Sequence, residues 1–188
     1  MSVSGWAPSQ LPGVWRRSLT PHADERGSFT ELWRASWSEE LPSGANWAQM
    51  AQANVSRSAS GVLRGLHFHR RQDDFWVALE GRAFVGLVDL RPLLEGGDRP
   101  AVETLELATG DALYIPEGVA HGFYAPHPLT LVYLVTNEYD GTDEHGFAWN
   151  DELAGVPWPT TSPILSERDA SNPSLRQAIA SLGEGRAP

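Results

Sequence analysis

The chain has 188 residues, of which 41% are hydrophobic and 20% are charged, and these values are ordinary for a globular protein with one sizeable core. It contains no cysteine, which excludes disulfides and thiolate chemistry, and its net charge of −10 argues against a general nucleic-acid binder. No apolar run approaches the ~20 residues of a membrane span, and the N-terminus lacks the basic-then-apolar order of a signal peptide. We therefore expect a single domain over residues 1–188, located in the cytoplasm.

Short apolar segments separated by turn residues recur along the chain and predict β-strands. They are rich in β-branched and aromatic residues, and they comprise Val62–Leu66, Phe75–Leu79, Arg82–Leu90, Val102–Leu107, Ala112–Ile115 and Leu129–Val135. Turns are predicted at Gly81 and at Gly96–Pro100. Many short strands at this spacing are typical of an antiparallel sandwich or barrel. The stretch Pro173–Leu182 has helical spacing with proline at its start, which predicts a terminal helix.

Polar residues concentrate in four stretches, and one of them contains Arg64, His67 and His69. A regular strand would place Arg64 and His67 on opposite faces, so a bend at Gly65 is needed to bring them together. His67 and His69 are two residues apart and share a face. On spacing alone, a surface ion pair for Arg64 and structural roles for the histidines are the more common outcomes.

The stretch Gly61–His67 (GVLRGLH) resembles the signature of the dTDP-4-dehydrorhamnose 3,5-epimerase family. Further matching pieces occur in the family's order: Pro116–Phe123, Tyr133 with Tyr139, Glu144 with Trp149–Asp151, and Pro163–Asp169. Together they span about Arg16 to Leu175. The resemblance implies an all-β, cupin-type jelly roll with a short C-terminal helix, usually a homodimer.

The resemblance also implies a reaction, a substrate and site residues. The reaction is inversion at C3, C5 or both of a dTDP-4-keto-6-deoxyhexose, by proton removal and return through an enolate, without a cofactor. His67 matches the family's base, Asp169 the carboxylate that orients it, and Tyr133 the acid on the other side of the sugar. The matching substrate-binding positions are Arg26, Glu31, Gln52, Asn54, Arg64, His121, Tyr139, Glu144 and Arg168.

The sequence departs from the family at Asp74. Counting back from Gly81, Asp74 falls where the family has a lysine that is thought to stabilise the enolate. The chain has no lysine at all, and its 14 basic residues are all arginine. An anionic aspartate would oppose an enolate, so another donor, such as Arg64, Arg70 or Arg71, would have to stabilise it.

The same stretch leaves two alternative functions open. His67, His69, Asp74 and His121 follow a spacing that resembles the cupin metal motifs, and three histidines with a carboxylate would suit a transition metal. One alternative is therefore a metal-dependent cupin enzyme with another reaction. The other is a nucleotide-sugar-binding homologue that has lost the chemistry. We expect a metal-free epimerase site, because Asp169 and Tyr133 match the metal-free arrangement.

Overall fold

The computed structural model describes residues 5–40, 50–139 and 141–184, and these form thirteen strands and a few short helices. In chain order the strands are β1 (Trp6–Pro8), β2 (Trp15–Ser18), β3 (His22–Asp24), β4 (Gly27–Phe29), β5 (Gln52–Ser58), β6 (Leu63–Phe68), β7 (Asp74–Glu80), β8 (Arg82–Asp89), β9 (Ala101–Ala108), β10 (Asp111–Ile115), β11 (Val119–Tyr124), β12 (Leu129–Val135) and β13 (His145–Gly146). A 3-10 helix spans Ala35–Glu40, and the α-helices are α1 (Arg91–Leu94), α2 (Glu167–Ala170) and α3 (Leu175–Glu184).

Two antiparallel sheets pack face to face. The first has the order β1-β2-β10-β7-β12-β5 and the second the order β13-β6-β11-β8-β9, while β3 and β4 form a separate hairpin. Leu113 and Leu131 of the first sheet and Val85 and Leu107 of the second belong to one buried cluster. Burial of such side chains stabilises the fold by about 1.5–3 kcal/mol each. The predicted all-β sandwich is therefore confirmed.

The predicted strands lie within one or two residues of the observed ones. β12 has the predicted bounds, and β7 begins one residue earlier than expected, at Asp74. Seven of the thirteen strands were not predicted. Two of these belong to the large sheets and lie in the polar motifs: β5, whose residues alternate between partly buried and exposed, and β11, which contains His121 and Gly122. Histidine and glycine are weak strand signals, so β11 is identified only by its pairing.

The C-terminal helix α3 begins at Leu175, two residues after the predicted start. Ser174 and Gln177 form a reciprocal cap, in which the Gln177 backbone N–H donates to Ser174 Oγ and the Ser174 backbone N–H donates to Gln177 Oε1. This cap fixes the start of the helix. Among the described residues, no helix is both long and apolar enough to cross a membrane.

Candidate active site

A cavity of about 440 Å³ opens between the two sheets and collects most of the predicted site residues. Ten of them line it: Gln52, Asn54, Arg64, His67, His121, Tyr133, Tyr139, Glu144, Arg168 and Asp169. They come from β5, β6, β11 and β12 and from the segments that follow β12. Residues from distant parts of the sequence, such as Gln52 and Asp169, therefore meet around one space.

His67 and Asp169 form the contact that the resemblance implied. His67 Nε2 lies 2.6 Å from Asp169 Oδ1, and Asp169 is 4% exposed. Because an ionised carboxylate only accepts hydrogen bonds, Nε2 must carry the proton, which leaves the lone pair of the neutral ring on Nδ1. Burial raises the pKa of Asp169, but the hydrogen bond and the charge of His67 oppose it, and the net pKa is lower than usual. Asp169 is therefore a carboxylate at neutral pH.

Local backbone contacts bring Asp169 to His67. Ile164 docks beside the start of β6, where its backbone pairs with Gly61 and Leu63. Ser166 then caps α2, and its Oγ accepts a hydrogen bond from the Asp169 backbone N–H at 3.0 Å. This cap holds the carboxylate on the first turn of α2, next to β6.

A bulge at Gly65 places Arg64 on the same cavity as His67, as predicted. β6 pairs with β11 through His67–His121 and Arg64–Phe123, so three steps on β6 oppose two on β11. One extra residue reverses the alternation of side chains. Gly65 has φ of +114°, a conformation that other residues rarely adopt. Arg64 Nε donates to Ser58 Oγ at 3.0 Å, and the side chain borders the cavity.

Tyr133 borders the cavity from the opposing sheet. It lies on β12, where it pairs with Asn54 on β5 and Trp76 on β7, while His67 lies on β6 of the second sheet. Burial raises the pKa of Tyr133, the charges of Asp74 and Glu144 raise it further, and Arg64 partly opposes them. The phenol therefore keeps its proton at neutral pH.

The remaining lining residues are held by polar contacts around the rim. Arg168 Nη1 pairs with Glu144 Oε1 at 2.7 Å. Gln52 Nε2 donates to Asn54 Oδ1 at 2.9 Å, and Gln52 Oε1 accepts the Tyr139 backbone N–H at 3.0 Å. The Tyr139 ring itself is largely exposed. The rim thus offers one guanidinium, two amides and an exposed aromatic ring.

Arg26 and Glu31 do not border this cavity. Arg26 lies in the exposed turn between β3 and β4, where it pairs with Asp24. Glu31 accepts hydrogen bonds from Arg34 at 2.8 and 3.0 Å. The expectation that Arg26 faces the same cavity as His67 is therefore wrong for the single chain, because the exposed β3–β4 hairpin pairs with neither large sheet and Arg26 does not line the cavity.

Asp74 lies inside the cavity, as the family alignment predicted, and two histidines face it. Asp74 Oδ1 is 4.0 Å from His69 Nε2, and Asp74 Oδ2 is 3.6 Å from His121 Nε2. One ligand atom from each residue lies within 4.8 Å of the others, and all three residues are buried. The spacing had also suggested His67 as a fourth member, but the Nε2 of His67 is engaged by Asp169.

The residues that hydrogen-bond to Asp74 and His69 were not predicted from the sequence. Gln72 and Trp76 both donate to the Asp74 carboxylate, and the backbone carbonyl of Asp143 accepts from His69 Nδ1 at 2.8 Å. Gln72 and Trp76 are two residues from Asp74, so strand alternation could have indicated them. Nothing in the local sequence indicates the contact with Asp143, which is 74 residues from His69.

Comparison with known proteins identifies the family. The model of the dTDP-4-dehydrorhamnose 3,5-epimerase family matches residues 8–177. A Bacillus subtilis spore coat polysaccharide biosynthesis protein is 36% identical over 80% of this chain and 97% of its own, and a Mycobacterium tuberculosis dTDP-4-dehydrorhamnose 3,5-epimerase is 34% identical over 91% and 87%.

Solved structures agree with the sequence comparison. A Mycobacterium tuberculosis epimerase superposes with a TM-score of 0.80 at 32% identity, covering 94% of this chain and 90% of its own. A Legionella pneumophila epimerase, solved in complex with dTDP-4-keto-L-rhamnose, superposes with a TM-score of 0.82 at 29% identity, covering 94% and 95%. The shared fold, the matched length and the assembled cavity lead to one conclusion: the chain is an enzyme that belongs to the dTDP-4-dehydrorhamnose 3,5-epimerase family.

Proposed function

We propose that this enzyme inverts C3, C5 or both of a dTDP-4-keto-6-deoxyhexose through an enolate. One observation carries the proposal: a His67–Asp169 pair on one side of a cavity faces a protonated Tyr133 on the other. Inversion of a carbon requires a base on one face and an acid on the opposite face. Two sheets that contribute one group each meet this requirement.

The proposed base is Nδ1 of His67. A 4-keto group acidifies the neighbouring C–H bonds, and the electron pair of the broken bond moves onto the C4 oxygen. The imidazole becomes a cation when it takes the proton, and the carboxylate of Asp169 stabilises that cation through the bond to Nε2. Asp169 is suited to this role because it is ionised and 4% exposed.

The proposed acid is the Tyr133 hydroxyl. It returns a proton to the carbon from the opposite face as the electron pair on the C4 oxygen moves back. Solvent then restores the proton of the tyrosine and takes up the proton held by His67. The raised pKa of Tyr133 keeps it protonated before this step. Because the tyrosine and the histidine come from different sheets, neither group has to move around the sugar.

Arginines are the proposed contacts of the diphosphate. Arg64 and Arg168 border the cavity, and guanidinium groups form charge-assisted, bidentate bonds with phosphate oxygens. The Legionella relative was solved with a dTDP-linked 4-keto sugar, which supports the same substrate class here. Gln52, Asn54 and Tyr139 are the proposed contacts at the rim.

Proton NMR in deuterated water tests the proposal. With dTDP-4-keto-6-deoxyglucose, the wild-type enzyme should replace hydrogen by deuterium at C3, C5 or both and produce an inverted sugar. His67→Asn should abolish the exchange, whereas the matched control His127→Gln, which alters an exposed histidine, should leave it intact. Binding of the sugar without exchange would contradict the proposal and favour a binding homologue that lacks the chemistry.

We further infer that the enzyme works as a cytoplasmic homodimer. Phe29 on β4 and Val55 on the edge strand β5 are exposed by 70% and 54%, and large apolar side chains of this kind are commonly covered at interfaces. A substrate-binding role for Arg26 and Glu31 then requires the β3–β4 hairpin to reach the cavity of a second subunit. Light scattering should give the dimer mass, and Val55→Arg should lower it; a monomeric wild type would contradict the inference.

A further inference from the structure

The cluster of His69, Asp74 and His121 is not explained by the proton transfers proposed above. All three side chains are buried, with exposed fractions of 9%, 4% and 6%. They border the same cavity as His67 and Tyr133. Asp74 comes from the start of β7 in the first sheet, and His121 comes from β11 in the second, so the cluster bridges the two sheets where the substrate would lie.

The hydrogen bonds of the two Nδ1 atoms determine whether the Nε2 atoms, which face Asp74, carry protons or lone pairs. His69 Nδ1 lies 2.8 Å from the carbonyl oxygen of Asp143, and His121 Nδ1 lies 3.0 Å from that of Val119. A carbonyl oxygen only accepts, so both Nδ1 atoms must carry protons. In the neutral rings, both Nε2 atoms therefore present lone pairs towards Asp74.

Hydrogen bonds also fix the orientation of the Asp74 carboxylate. Asp74 Oδ1 accepts from Gln72 Nε2 at 2.9 Å, and Oδ2 accepts from Trp76 Nε1 at 3.1 Å. Two nitrogen lone pairs and one carboxylate thus converge within 4.8 Å. Among the described residues, neither Nε2 atom has a hydrogen-bond donor. Three converging acceptors are unfavourable together unless a cation or a hydrogen-bond donor lies between them.

We propose that His69, Asp74 and His121 bind a divalent transition-metal cation, which supplies the positive charge that the missing lysine would otherwise bring to the C4 oxygen. The role at the C4 oxygen rests on the proposed epimerase function, but the binding site does not. The proposal replaces the sequence-based expectation of a metal-free site, and it differs from the four-ligand alternative because His67 stays with Asp169.

The geometry and the ligand types fit such a cation. Metal–nitrogen and metal–oxygen bonds of about 2.1 Å in a tetrahedron separate ligand atoms by about 3.4 Å. The His121–Asp74 separation of 3.6 Å is close to this value, and the His69–Asp74 separation of 4.0 Å needs a small approach. Two imidazoles and one carboxylate suit Zn²⁺, Fe²⁺ or Mn²⁺ and leave positions open for other ligands.

The hydrogen bonds that hold the two histidine rings also match those of a metal site. Metal-binding histidines donate their second ring N–H to a carbonyl or carboxylate, which fixes the ring orientation. Here His69 and His121 both do so. The open side of the cluster faces the cavity, so the keto oxygen of a bound sugar could occupy a free position. A cation there would stabilise the enolate oxygen, whereas Asp74 alone would repel it.

Metal binding is tested on the whole chain without a histidine tag, after treatment with EDTA and removal of the chelator. Calorimetry with Zn²⁺ and visible absorption with Co²⁺ should show one ion per chain. Loss of a hydrogen-bond partner behind a metal ligand typically costs about 10- to 100-fold in affinity. His69→Gln and Asp74→Asn each alter a ligand itself and should weaken Zn²⁺ binding by at least that much, while His127→Gln should bind as the wild type does. No binding, or binding that neither ligand variant changes, would overturn the proposed site.

The role of the cation is tested separately by deuterium exchange into dTDP-4-keto-6-deoxyglucose. The wild type should lose exchange in EDTA and regain it with Zn²⁺, Mn²⁺ or Fe²⁺. Asp74→Lys should bind no metal but should exchange deuterium in EDTA, because the new ammonium group replaces the cation. Equal wild-type exchange with and without metal would overturn the role in the reaction. Metal binding without any exchange would instead refute the epimerase function and leave the site standing.

Discussion

Replacement of Asp169 by asparagine is the most direct test of the His67–Asp169 pair. The substitution keeps the size of the side chain and removes its charge. In the native site, Asp169 Oδ1 accepts from His67 Nε2 at 2.6 Å, and Oδ2 faces the backbone N–H of Gly65 at 3.5 Å. Both neighbours are donors, whereas an asparagine amide has one acceptor and one donor end.

Either orientation of the introduced amide would therefore impair the base. If the amide oxygen faces His67, the tautomer survives, but the charge that stabilises the imidazolium is lost and the NH₂ group opposes the N–H of Gly65. If the NH₂ group faces His67, Nε2 must accept and the proton moves to Nδ1, which can no longer act as a base. A charge-assisted hydrogen bond contributes about 1.5–3 kcal/mol, which corresponds to a loss of roughly 10- to 150-fold in turnover.

The assay is the initial rate of deuterium incorporation, measured together with the free energy of unfolding. Asp98→Asn, in an exposed loop, is the matched control and should keep the wild-type rate. A second readout follows from the lowered pKa of Asp169. The ionised carboxylate of Asp169 adds to the free energy of unfolding above pH 3.8, which is the ordinary pKa of aspartate. This contribution is lost as the pH falls through the lower pKa that Asp169 has in the folded protein. The difference in stability between the wild type and Asp169→Asn should therefore narrow in acid.

Retention of activity without the carboxylate would refute this role. If Asp169→Asn keeps more than half of the wild-type exchange rate while Asp98→Asn does the same, the carboxylate does not support the base. His67 would then act without a partner, or another residue would remove the proton.

Tyr133, Arg64 and His121 provide three further tests of the site. Tyr133→Phe should abolish inversion but keep exchange at the carbon that His67 deprotonates; equal loss of both would contradict the assignment of the tyrosine as the acid. Arg64→Ala should weaken dTDP binding by roughly 10- to 150-fold, from a lost charge-assisted contact of about 1.5–3 kcal/mol, and unchanged calorimetric affinity would exclude that contact. In EDTA, the free energy of unfolding should fall as the pH is lowered from 6.5 to about 4, because burial keeps His121 neutral when folded while the unfolded residue takes up a proton. The free energy of unfolding of His121→Gln should fall less over this interval. If urea unfolding shows that the wild type and His121→Gln lose the same free energy of unfolding over this interval, the assignment is contradicted.

Much of the sheet could be predicted from local sequence, because its strands are apolar runs between turn residues. β12 has the expected bounds. Two of the strands that escaped prediction contribute side chains to the cavity: β5 alternates polar residues, and β11 includes a histidine and a glycine. Local propensity indicates buried strands well, and it indicates strands that carry polar site residues poorly.

The site could be predicted only through the family resemblance. The contact between His67 and Asp169 joins residues 102 positions apart, and no periodicity reaches that far. The position of Arg26 shows the limit of such transfer, because a matching motif does not say whether a hairpin folds over its own cavity. Conversely, the orientation of His69 and His121 could not be inferred from any motif, since it depends on carbonyl groups of the tertiary fold.

The bulge at Gly65 has a consequence for how tolerant the enzyme is to mutation. A methyl group at position 65 would lie 2.6 Å from the Cα atom of Gly122 and 2.7 Å from the carbonyl oxygen of His121, and one at position 122 would lie 2.7 Å from the carbonyl oxygen of Arg64. Alanine at either position would push β6 and β11 apart, although every charged and aromatic side chain of the cavity would still be present. A homologue with these glycines replaced could therefore match all the chemically active positions and yet be inactive.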